Sequence, residues 1–422
     1  MTDIVPWTPL RKPRPRFATR YPYLPMRTSY RDIALLACCQ ALLLVNNAGL
    51  IAMNGLVGYA LADTKSLATV GVTTYVLGSA LAAMPASLWM ARVGRRRGFM
   101  TGSLIAVIGT ATCALALARS SFPLFCVGTA MLGVYTAFGF HYRFAAAEVA
   151  APAFKASAIS LVLAGGIAGG FLGPEASRIA KDALPVPFLG SFVLLSGIAL
   201  CAFAVQSMIR VPEGDTAGTR DAGRPIGKIA RQPVFIVAAL SGALGYGVMN
   251  LLMTATPLAM SFCSLPYSAA AFVIEWHVVG MYAPGFVTGA LIKRFGVLRV
   301  IVAGTMLMIA CVVVARAGNR IEHFWGALVL LGAGWNLMYT GGTTLLTEAY
   351  APAEKARTQG LNDFIVFSTM AVSSFASGVL VNAAGWDVMN VGALPFIVLV
   401  GVAATWFAVT RQRSARTPAG GV

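Results

Sequence analysis

The chain has 422 residues, of which 58% are hydrophobic and only 11% are charged, against about 25% charged residues in a typical soluble domain. Its formal net charge of +17 would suggest nucleic-acid binding in a soluble protein. In so apolar a chain, the same charge is typical of the basic excess that membrane proteins carry on their cytoplasmic side. The composition therefore indicates a protein that spans a lipid bilayer and argues against a soluble enzyme or a nucleic-acid-binding domain.

Several motifs of catalytic and metal sites are missing from the sequence. It contains no G-x-x-x-x-G-K-[ST] nucleotide loop, no H-E-x-x-H zinc motif and no G-x-S-x-G nucleophile motif. Its seven cysteines form no C-x-x-C pair and no cluster with histidine, and we interpret them as small core residues. We expect no enzymatic activity, no metal site and no cofactor.

An N-terminal basic arm precedes twelve predicted membrane spans. Residues 1–31 are rich in arginine and proline and lack the early apolar region of a signal peptide, which indicates a cytoplasmic arm. Each following apolar segment has the roughly 20 residues that a bilayer requires, and most are rich in glycine and alanine, which favours close helix packing in lipid. The predicted spans are 33–57, 67–90, 98–118, 123–147, 156–179, 187–209, 233–258, 268–292, 299–318, 323–348, 358–381 and 389–410.

One long polar loop divides these spans into six and six. With the N-terminus in the cytoplasm, 25 of the 32 lysines and arginines fall on the cytoplasmic side, so both termini are predicted there. We expect a multi-pass protein of a bacterial inner membrane. The predicted domains are an N-terminal six-helix bundle over 32–209, a cytoplasmic linker over 210–232, a C-terminal six-helix bundle over 233–410 and a cytoplasmic tail over 411–422.

The two halves of the chain repeat each other. The segment "EVAAPAFKA" at 148–156 matches "EAYAPAEKA" at 348–356, an offset of 200 residues, and "MARVGRR" at 90–96 lies about 202 residues before "IKRFGVL" at 292–298. Because two separate motifs keep nearly the same offset, we interpret them as an internal repeat, which is typical of secondary transporters.

The loop motifs resemble the major facilitator superfamily, whose loop between spans two and three reads G-x-x-x-D-R-x-G-R-R. The stretch "SLWMARVGRR" keeps its arginines and second glycine but has Ser87 for the first glycine and Ala91 for the aspartate; "GALIKRFG" has Lys293 for the aspartate. The resemblance implies an all-α integral membrane fold of twelve transmembrane helices in two pseudo-symmetric six-helix bundles. The loss of both aspartates puts in doubt any gating step that needs this carboxylate.

Span five carries a glycine stripe, "AGGIAGGFLGP", in which Gly165, Gly169 and Gly173 recur every four residues before Pro174. It resembles the superfamily's span-five signature, often linked to antiporters, and it equally fits close helix packing alone. Together with "HYRFAAAE", "WHVVGMYAPGFVTG" and "QGLNDFIVF", this stretch looks like one bacterial branch of the superfamily, some of whose members resemble alphaproteobacterial riboflavin importers.

Charged residues near the cytoplasmic ends predict a gate. Glu148 ends span four, where it can reach the loop that holds three arginines, and its repeat mate Glu348 can reach Arg294. In the resembled family, the matching carboxylates hold the cytoplasmic ends together; the alternative is an ordinary surface charge at the interface. The predicted cytoplasmic gate comprises Arg92, Arg95, Arg96, Glu148, Arg294 and Glu348.

Arg143 lies about five residues deeper in span four than Glu148. Charges at such depth are expensive and are usually functional. Three roles are open for Arg143. Its side chain can snorkel to the interface, bind an anionic substrate or pair with an inner carboxylate. With His141, it is placed at the floor of the cavity.

Three titratable residues inside spans are candidates for proton coupling. Glu275 and His277 lie in span eight, and Asp363 lies about five residues into span eleven. A carboxylate or an imidazole at such a position can carry a proton. The alternatives are a structural hydrogen bond for His277 and the cap of a neighbouring helix for Asp363.

Amide and aromatic side chains near the membrane midplane predict a substrate cavity between the repeats. Such groups suit a planar, hydrogen-bonding solute held by stacking, although ordinary aromatic packing is the alternative for any single ring. The cavity residues we predict are Asn46, Asn47, Arg143, Tyr246, Asn250, Trp276, Trp335, Asn336 and Tyr339.

These features predict a secondary transporter, acting as a monomer in the lipid bilayer, that moves a small organic molecule by alternating access with protons as the coupling ion. Riboflavin-like vitamin uptake is the leading hypothesis for the substrate, and proton-linked efflux of drugs or metabolites is the alternative. A non-transporting receptor or assembly factor on the same fold is a third hypothesis, against which the dispersed polar residues at mid-depth argue.

Overall fold

The computed structural model describes residues 26–63, 67, 70–211 and 223–416. The predicted basic arm up to residue 25, Lys65 and linker residues 212–222 lie outside the described residues, as does the tail from 417. The described part is built of helices, as predicted: α1 Met26–Leu61, α2 Val70–Val93, α3 Arg95–Ala118, α4 Phe122–Gly139, α5 Tyr142–Val149, α6 Lys155–Ala164, α7 Gly166–Ala180, α8 Leu189–Ser207, α9 Ile226–Ala230, α10 Pro233–Phe262, α11 Tyr267–Tyr282, α12 Gly285–Phe295, α13 Val297–Arg316, α14 Ile321–Leu346 and α15 Lys355–Arg416.

Three predicted spans are interrupted within their length. Span four breaks between α4 and α5 at Phe140 and His141, span five at Gly165, and span eight between α11 and α12 at Pro284. In span eight the reason is local, because proline has no amide hydrogen and cannot continue the helical ladder. The long α15 contains spans eleven and twelve, and Gly385 separates them with a φ of 80°. Breaks of this kind free backbone groups and redirect side chains at mid-membrane depth.

Ten helical segments among the described residues have the length and hydropathy of a membrane span. They correspond to the predicted spans except the eighth and the tenth. The eighth is divided into helices of 16 and 11 residues. The tenth, α14, is long enough but carries Trp335, Asn336 and Tyr339 together with threonines in its buried part, and these residues lower its mean hydropathy.

Each half of the chain has its own apolar core. One core is built from α1 to α8, and the other is built mainly from α10 to α15. Phe144 belongs to the second core and Phe367 to the first, so each half sends an aromatic ring into the other. The two six-helix halves therefore meet along a packed interface, and the candidate site lies in it.

Candidate functional site

An ion pair joins the two halves across this interface. Arg143, in the first turn of α5, donates from Nη2 to Oδ1 of Asp363 on α15, and the two side chains are only 2% and 1% exposed. Asn362 donates to the same carboxylate oxygen at 2.9 Å. Of the three roles expected for Arg143, pairing with an inner carboxylate is the one that the geometry shows.

His141 lies on the other side of the same carboxylate. Its Nδ1 is 3.8 Å from Oδ2 of Asp363 and 3.1 Å from the carbonyl oxygen of Ala137. The ring is fully buried. Asp363 therefore has two basic groups of the N-terminal half within 4 Å, and it does not cap a neighbouring helix as one hypothesis held.

Four aromatic residues pack beside this pair, and we call them the aromatic cluster. The rings of Trp335 and Tyr339 stack at 5.0 Å, and Tyr246 meets them edge-on at 5.2 and 5.4 Å. Tyr282 packs edge-on against Trp335 at 5.9 Å. The Arg143 guanidinium carbon lies 4.5 Å from the centre of the Tyr339 ring, so the ion pair and the cluster form one continuous site.

Six of the fifteen buried polar atoms without a hydrogen-bond partner in the described part of the chain belong to this site or to the residue that follows Tyr339. Buried polar groups are nearly always paired in folded proteins, with protein or with water, so a concentration of unpaired groups indicates a place where a polar ligand or water binds. The set includes donors, acceptors and hydroxyl groups that can do both. The atoms are Nε2 of His141, Nε of Arg143, Nε1 of Trp335, Oη of Tyr339, Oγ1 of Thr340 and Oδ2 of Asp363.

A second polar contact closes the interface at one end of the bundle. We call this the basic end; it is the end where α2 finishes and α3 begins. Arg95 donates to Glu148 at 2.8 Å and to Oε1 of Gln359 at 2.5 Å, while Lys355 approaches Glu148 at 3.1 Å. Arg95 and Glu148 belong to one half and the other two residues to the opposite half. Glu148 thus lies against Arg95 of the arginine loop and also bridges the halves, the arrangement expected of a gate.

Backbone packing supports the same closure. Ser87 of α2 donates to the carbonyl oxygen of Ala356 at 2.7 Å. Ser160 of α6 donates to the carbonyl oxygen of Gly285 and accepts from the amide of Gly289 at 3.2 Å. A Cβ atom at Gly289 would collide with the backbone of Ser157. The halves therefore touch backbone to backbone at the basic end.

The second copy of the predicted gate is wrong. Glu348 pairs with Arg411 near the end of α15, and both side chains are more than 40% exposed. Arg294 is exposed and lies over the ring of Phe295 at 5.2 Å instead. The repeat itself gives the reason, because the position of Arg95 is occupied by Val297 in the second copy, and Arg294 corresponds to the exposed Arg92. Arg92 and Arg96 are likewise exposed, so within the arginine loop Arg95 alone is buried.

Each of the four predicted cavity asparagines forms a hydrogen bond to a neighbouring helix. Asn46 donates to the carbonyl oxygen of Leu195 at 3.3 Å, and Asn47 accepts from Thr136 at 3.1 Å. Asn250 donates to Oγ of Ser373 at 3.0 Å, which joins spans seven and eleven.

Asn336 forms its hydrogen bonds at the break in span eight. It donates to the carbonyl oxygen of Met281 and accepts from Thr288, both at 2.7 Å. These bonds satisfy groups on either side of Pro284 and hold the two pieces of the span together.

The candidates of α11 lie apart from the aromatic cluster. Trp276 is 41% exposed and packs against Trp325 and Phe272, and Glu275 beside it is also exposed. His277 is fully buried, and its Nδ1 lies 2.7 Å from the carbonyl oxygen of Leu328. The contact of His277 is thus the structural hydrogen bond that was its alternative role. The aromatic ring that span eight contributes to the cluster is that of Tyr282.

The glycine stripe of span five packs against α1. Cβ atoms at Gly165 and Gly169 would collide with the carbonyl oxygens of Ala37 and Ala41, and one at Gly173 would lie 2.7 Å from that of Val45. Pro174 lies within α7 on its exposed side. The stripe thus has the close-packing role that its spacing allows.

Four residues of the site were not singled out from the sequence: Tyr282, Lys355, Gln359 and Asn362. Lys355 and Gln359 are four residues apart, so they share one face of α15. Lys355 belongs to the repeated "APAEKA" motif and Gln359 follows that motif by three residues, and this position is the signal that could have identified them.

Comparison with known proteins identifies the family. The model described as Major Facilitator Superfamily matches residues 36–283 and 268–421. The chain is 38% identical to the riboflavin transporter RfnT of Brucella anthropi, over 88% of this chain and 94% of that protein. It is 27% identical to YddS of Bacillus subtilis, an uncharacterised transporter of this type, over 86% and 88% of the two chains.

The solved structures agree on the fold. The crystal structure of the transporter FucP in an outward conformation superposes with a TM-score of 0.73 at 16% identity, covering 90% of this chain and 99% of that one. The chain belongs to the major facilitator superfamily and is a multi-pass membrane transporter, which confirms the predicted fold class.

Proposed function

We propose that this member of the major facilitator superfamily takes up riboflavin, or a flavin with the same three-ring system, by alternating access. The observation that carries the proposal is the 38% identity to the riboflavin transporter RfnT over 88% of the chain. The arrangement of the candidate site gives it independent physical support.

The chemistry of the site matches a flavin ring. The isoalloxazine system is flat, with an apolar edge and an edge that carries alternating carbonyl and N–H groups. Aromatic walls such as Trp335 and Tyr339 offer stacking partners worth about 0.5–1.5 kcal/mol each beyond their buried area. The unpaired atoms of Arg143 and Tyr339, which lie against each other, supply a donor and a hydroxyl group that both donates and accepts, as a polar edge requires.

The inter-half ion pair suggests how binding and movement are coupled. Arg143 and Asp363 hold the halves together, and the Arg143 guanidinium also lies on the Tyr339 ring. A proton added to the Asp363 carboxylate removes its charge and releases Arg143 to the polar edge of the solute. The halves can then separate at the basic end once the contacts of Glu148 yield. In this proposal protons are the coupling ion and Asp363 is their carrier.

The distribution of positive charge supports an orientation. The basic end carries Arg92, Arg95, Lys293 and Arg294, and short loops on the cytoplasmic side of membrane proteins are enriched in such residues. We place the basic end, and with it both termini, in the cytoplasm. The state described here is then closed toward the cytoplasm, and the solute enters from the other side of a bacterial inner membrane.

Uptake of radiolabelled riboflavin tests the proposal. The protein is expressed in a bacterium that can neither make nor import riboflavin, and its presence in the membrane is verified by immunoblotting. We expect saturable uptake and growth on low riboflavin, both reduced by dissipation of the proton gradient. A matched strain expressing Asp363→Asn at the same level serves as the control. Absence of uptake and growth with the wild-type protein folded in the membrane would overturn the assignment.

A further inference from the structure

A lipid-facing groove lies outside the transport site, between α13 and the last part of α15. It is formed by two consecutive cavities of about 230 Å³ and about 440 Å³. The first is lined by residues 295–299 and 408–412, and the second by residues between 302 and 309 and between 398 and 406. Because the two sets follow each other along the same pair of helices, the cavities form one furrow.

The length of the groove matches one leaflet of a bilayer. From Val297, where α13 begins, to Ile309 this helix rises about 18 Å, at 1.5 Å per residue. Half of a hydrocarbon core of about 30 Å, together with part of the headgroup layer, has this depth. The groove starts at the basic end, at headgroup level, and ends near the middle of the membrane.

Polarity changes along the groove as it does along a phospholipid. At the basic end it carries Arg299 and Arg411, whereas the deeper cavity is lined by apolar residues such as Met306 and Val402, both about 60% exposed. Arg411 is partnered by Glu348, but no carboxylate of the described residues pairs with Arg299. The mouth of the groove therefore keeps a net positive charge, and basic pockets between spans at this level suit anionic headgroups.

The repeat explains why the groove is open in this half. In the N-terminal half, Ser103 of span three donates to Gln206 of span six at 2.9 Å, and both side chains are fully buried. The repeat offsets of about 202 and 200 residues bring Thr305 and Trp406 to these positions. Thr305 bonds within its own helix, to Val302, and Trp406 is 55% exposed. The hydrogen bond that closes the first pair of helices thus has no counterpart between these two residues.

The floor of the groove is shaped by a glycine. A Cβ atom at Gly401 would lie 3.1 Å from Oγ1 of Thr305, so a larger side chain would fill the space that the groove provides.

We propose that this groove binds one anionic phospholipid, with its phosphate at Arg299 and Arg411 and one acyl chain along α13 past Gly401 and Trp406. The occupant is lipid because the groove faces the bilayer, spans one leaflet and is apolar except at its charged mouth. This inference depends on the membrane location of the chain and not on the identity of the transported solute.

Trp406 is the natural reporter for the test. Purified full-length protein is reconstituted in phosphatidylcholine vesicles that contain increasing fractions of brominated phosphatidylglycerol or brominated phosphatidylcholine, since bromine quenches nearby tryptophan fluorescence. The quenching of Trp406 itself is obtained as the difference in fluorescence quenching between the wild type and Trp406→Phe. We expect quenching at roughly fivefold lower mole fraction of the anionic lipid, as one basic residue near a membrane surface provides.

Two variants localise the preference. With Arg299→Gln, the two lipids should quench Trp406 at nearly the same mole fraction. Arg97→Gln removes an exposed arginine at the same end but outside the groove, and it should keep the preference for the anionic lipid. Equal quenching of the wild type by both lipids would overturn the proposal, as would a preference that survives Arg299→Gln. Protection of Trp406 from both lipids would also overturn it, because a second copy of the chain would then cover the groove.

Discussion

Arg143 and Asp363 are 220 residues apart in the sequence, yet they form a buried ion pair across the interface of the two halves. A buried pair contributes less to stability than its geometry suggests, because both charges lose their hydration. Removing one partner is far more damaging, since it leaves the other charge buried and unpaired. The pair is therefore well suited to hold one state and to release it when one charge is neutralised.

The first prediction concerns this pair. We expect Arg143→Gln alone to lower stability by about 3–5 kcal/mol, because Asp363 stays buried without its partner. The double variant Arg143→Gln/Asp363→Asn should recover most of that loss but should not recover uptake driven by a proton gradient. Thermal unfolding in detergent measures the first effect, and uptake of labelled riboflavin into proteoliposomes under an imposed proton gradient measures the second. Proton-stimulated uptake by the double variant would contradict the assigned role.

The second prediction concerns closure at the basic end. Glu148→Gln removes the charge that Arg95 and Lys355 share, a loss of about 1.5–3 kcal/mol for a charged hydrogen bond. We expect faster amide hydrogen exchange in segments 84–97 and 352–362, which separate when this end opens. Glu348→Gln is the matched control, since Glu348 is exposed and pairs only with Arg411 among the described residues. The same exchange increase in both variants would argue against a gate at Glu148.

A third prediction addresses the aromatic cluster. Trp335→Phe keeps a ring but loses the indole N–H, and Trp335→Ala loses the stacking surface as well. We expect a KM for riboflavin that rises about 2- to 12-fold when stacking is lost, and a smaller rise for the phenylalanine variant. Trp276→Phe, on the exposed face of α11, should leave KM unchanged. Equal effects at Trp276 and Trp335 would remove the cluster from the binding site.

The fourth prediction separates structure from binding at Asn336. Asn336→Ala leaves the carbonyl oxygen of Met281 and the hydroxyl of Thr288 without their partner at the break in span eight. We expect a loss of about 1–3 kcal/mol in stability, seen as a lower unfolding temperature. KM of the protein that remains folded should stay near the wild-type value. A raised KM at unchanged stability would return Asn336 to the cavity lining.

The sequence predicts the helices of this fold well, because long apolar segments and basic loops follow directly from the physics of the bilayer. The depth of Arg143 and Asp363 could also be counted from the span ends. Their pairing could not, since it depends on how α5 turns after the break at His141 and on the register of α15 across the interface. The residues adjacent to Arg143 and Asp363 in the sequence determine neither the turn of α5 nor the register of α15.

The repeat was informative in one half and misleading in the other. It identified Glu148, whose contact with Arg95 follows from the loop motif, but it also transferred that contact to Glu348 and Arg294. The second loop ends at Gly296 with a φ of 87°, as the first ends at Gly94 with a φ of 86°. The local backbone is thus repeated, and the difference lies in the side chains, because Arg95 of the first motif is replaced by Val297 in the second.

The break in span eight and the polar content of α14 have a consequence for the assembly of the protein. Insertion machinery recognises a nascent helix by its length and hydrophobicity. Among the described spans, the eighth is divided into helices too short to cross the membrane alone, and the tenth has a lower mean hydropathy than the others. They also pack tightly on each other, since a Cβ atom at Gly332 would lie 2.6 Å from the carbonyl oxygen of His277. We infer that they enter the bilayer late and together, supported by neighbours already in place. The break in span eight and the polar residues of α14 thus place the two helices that are least suited to insert alone side by side in the C-terminal half.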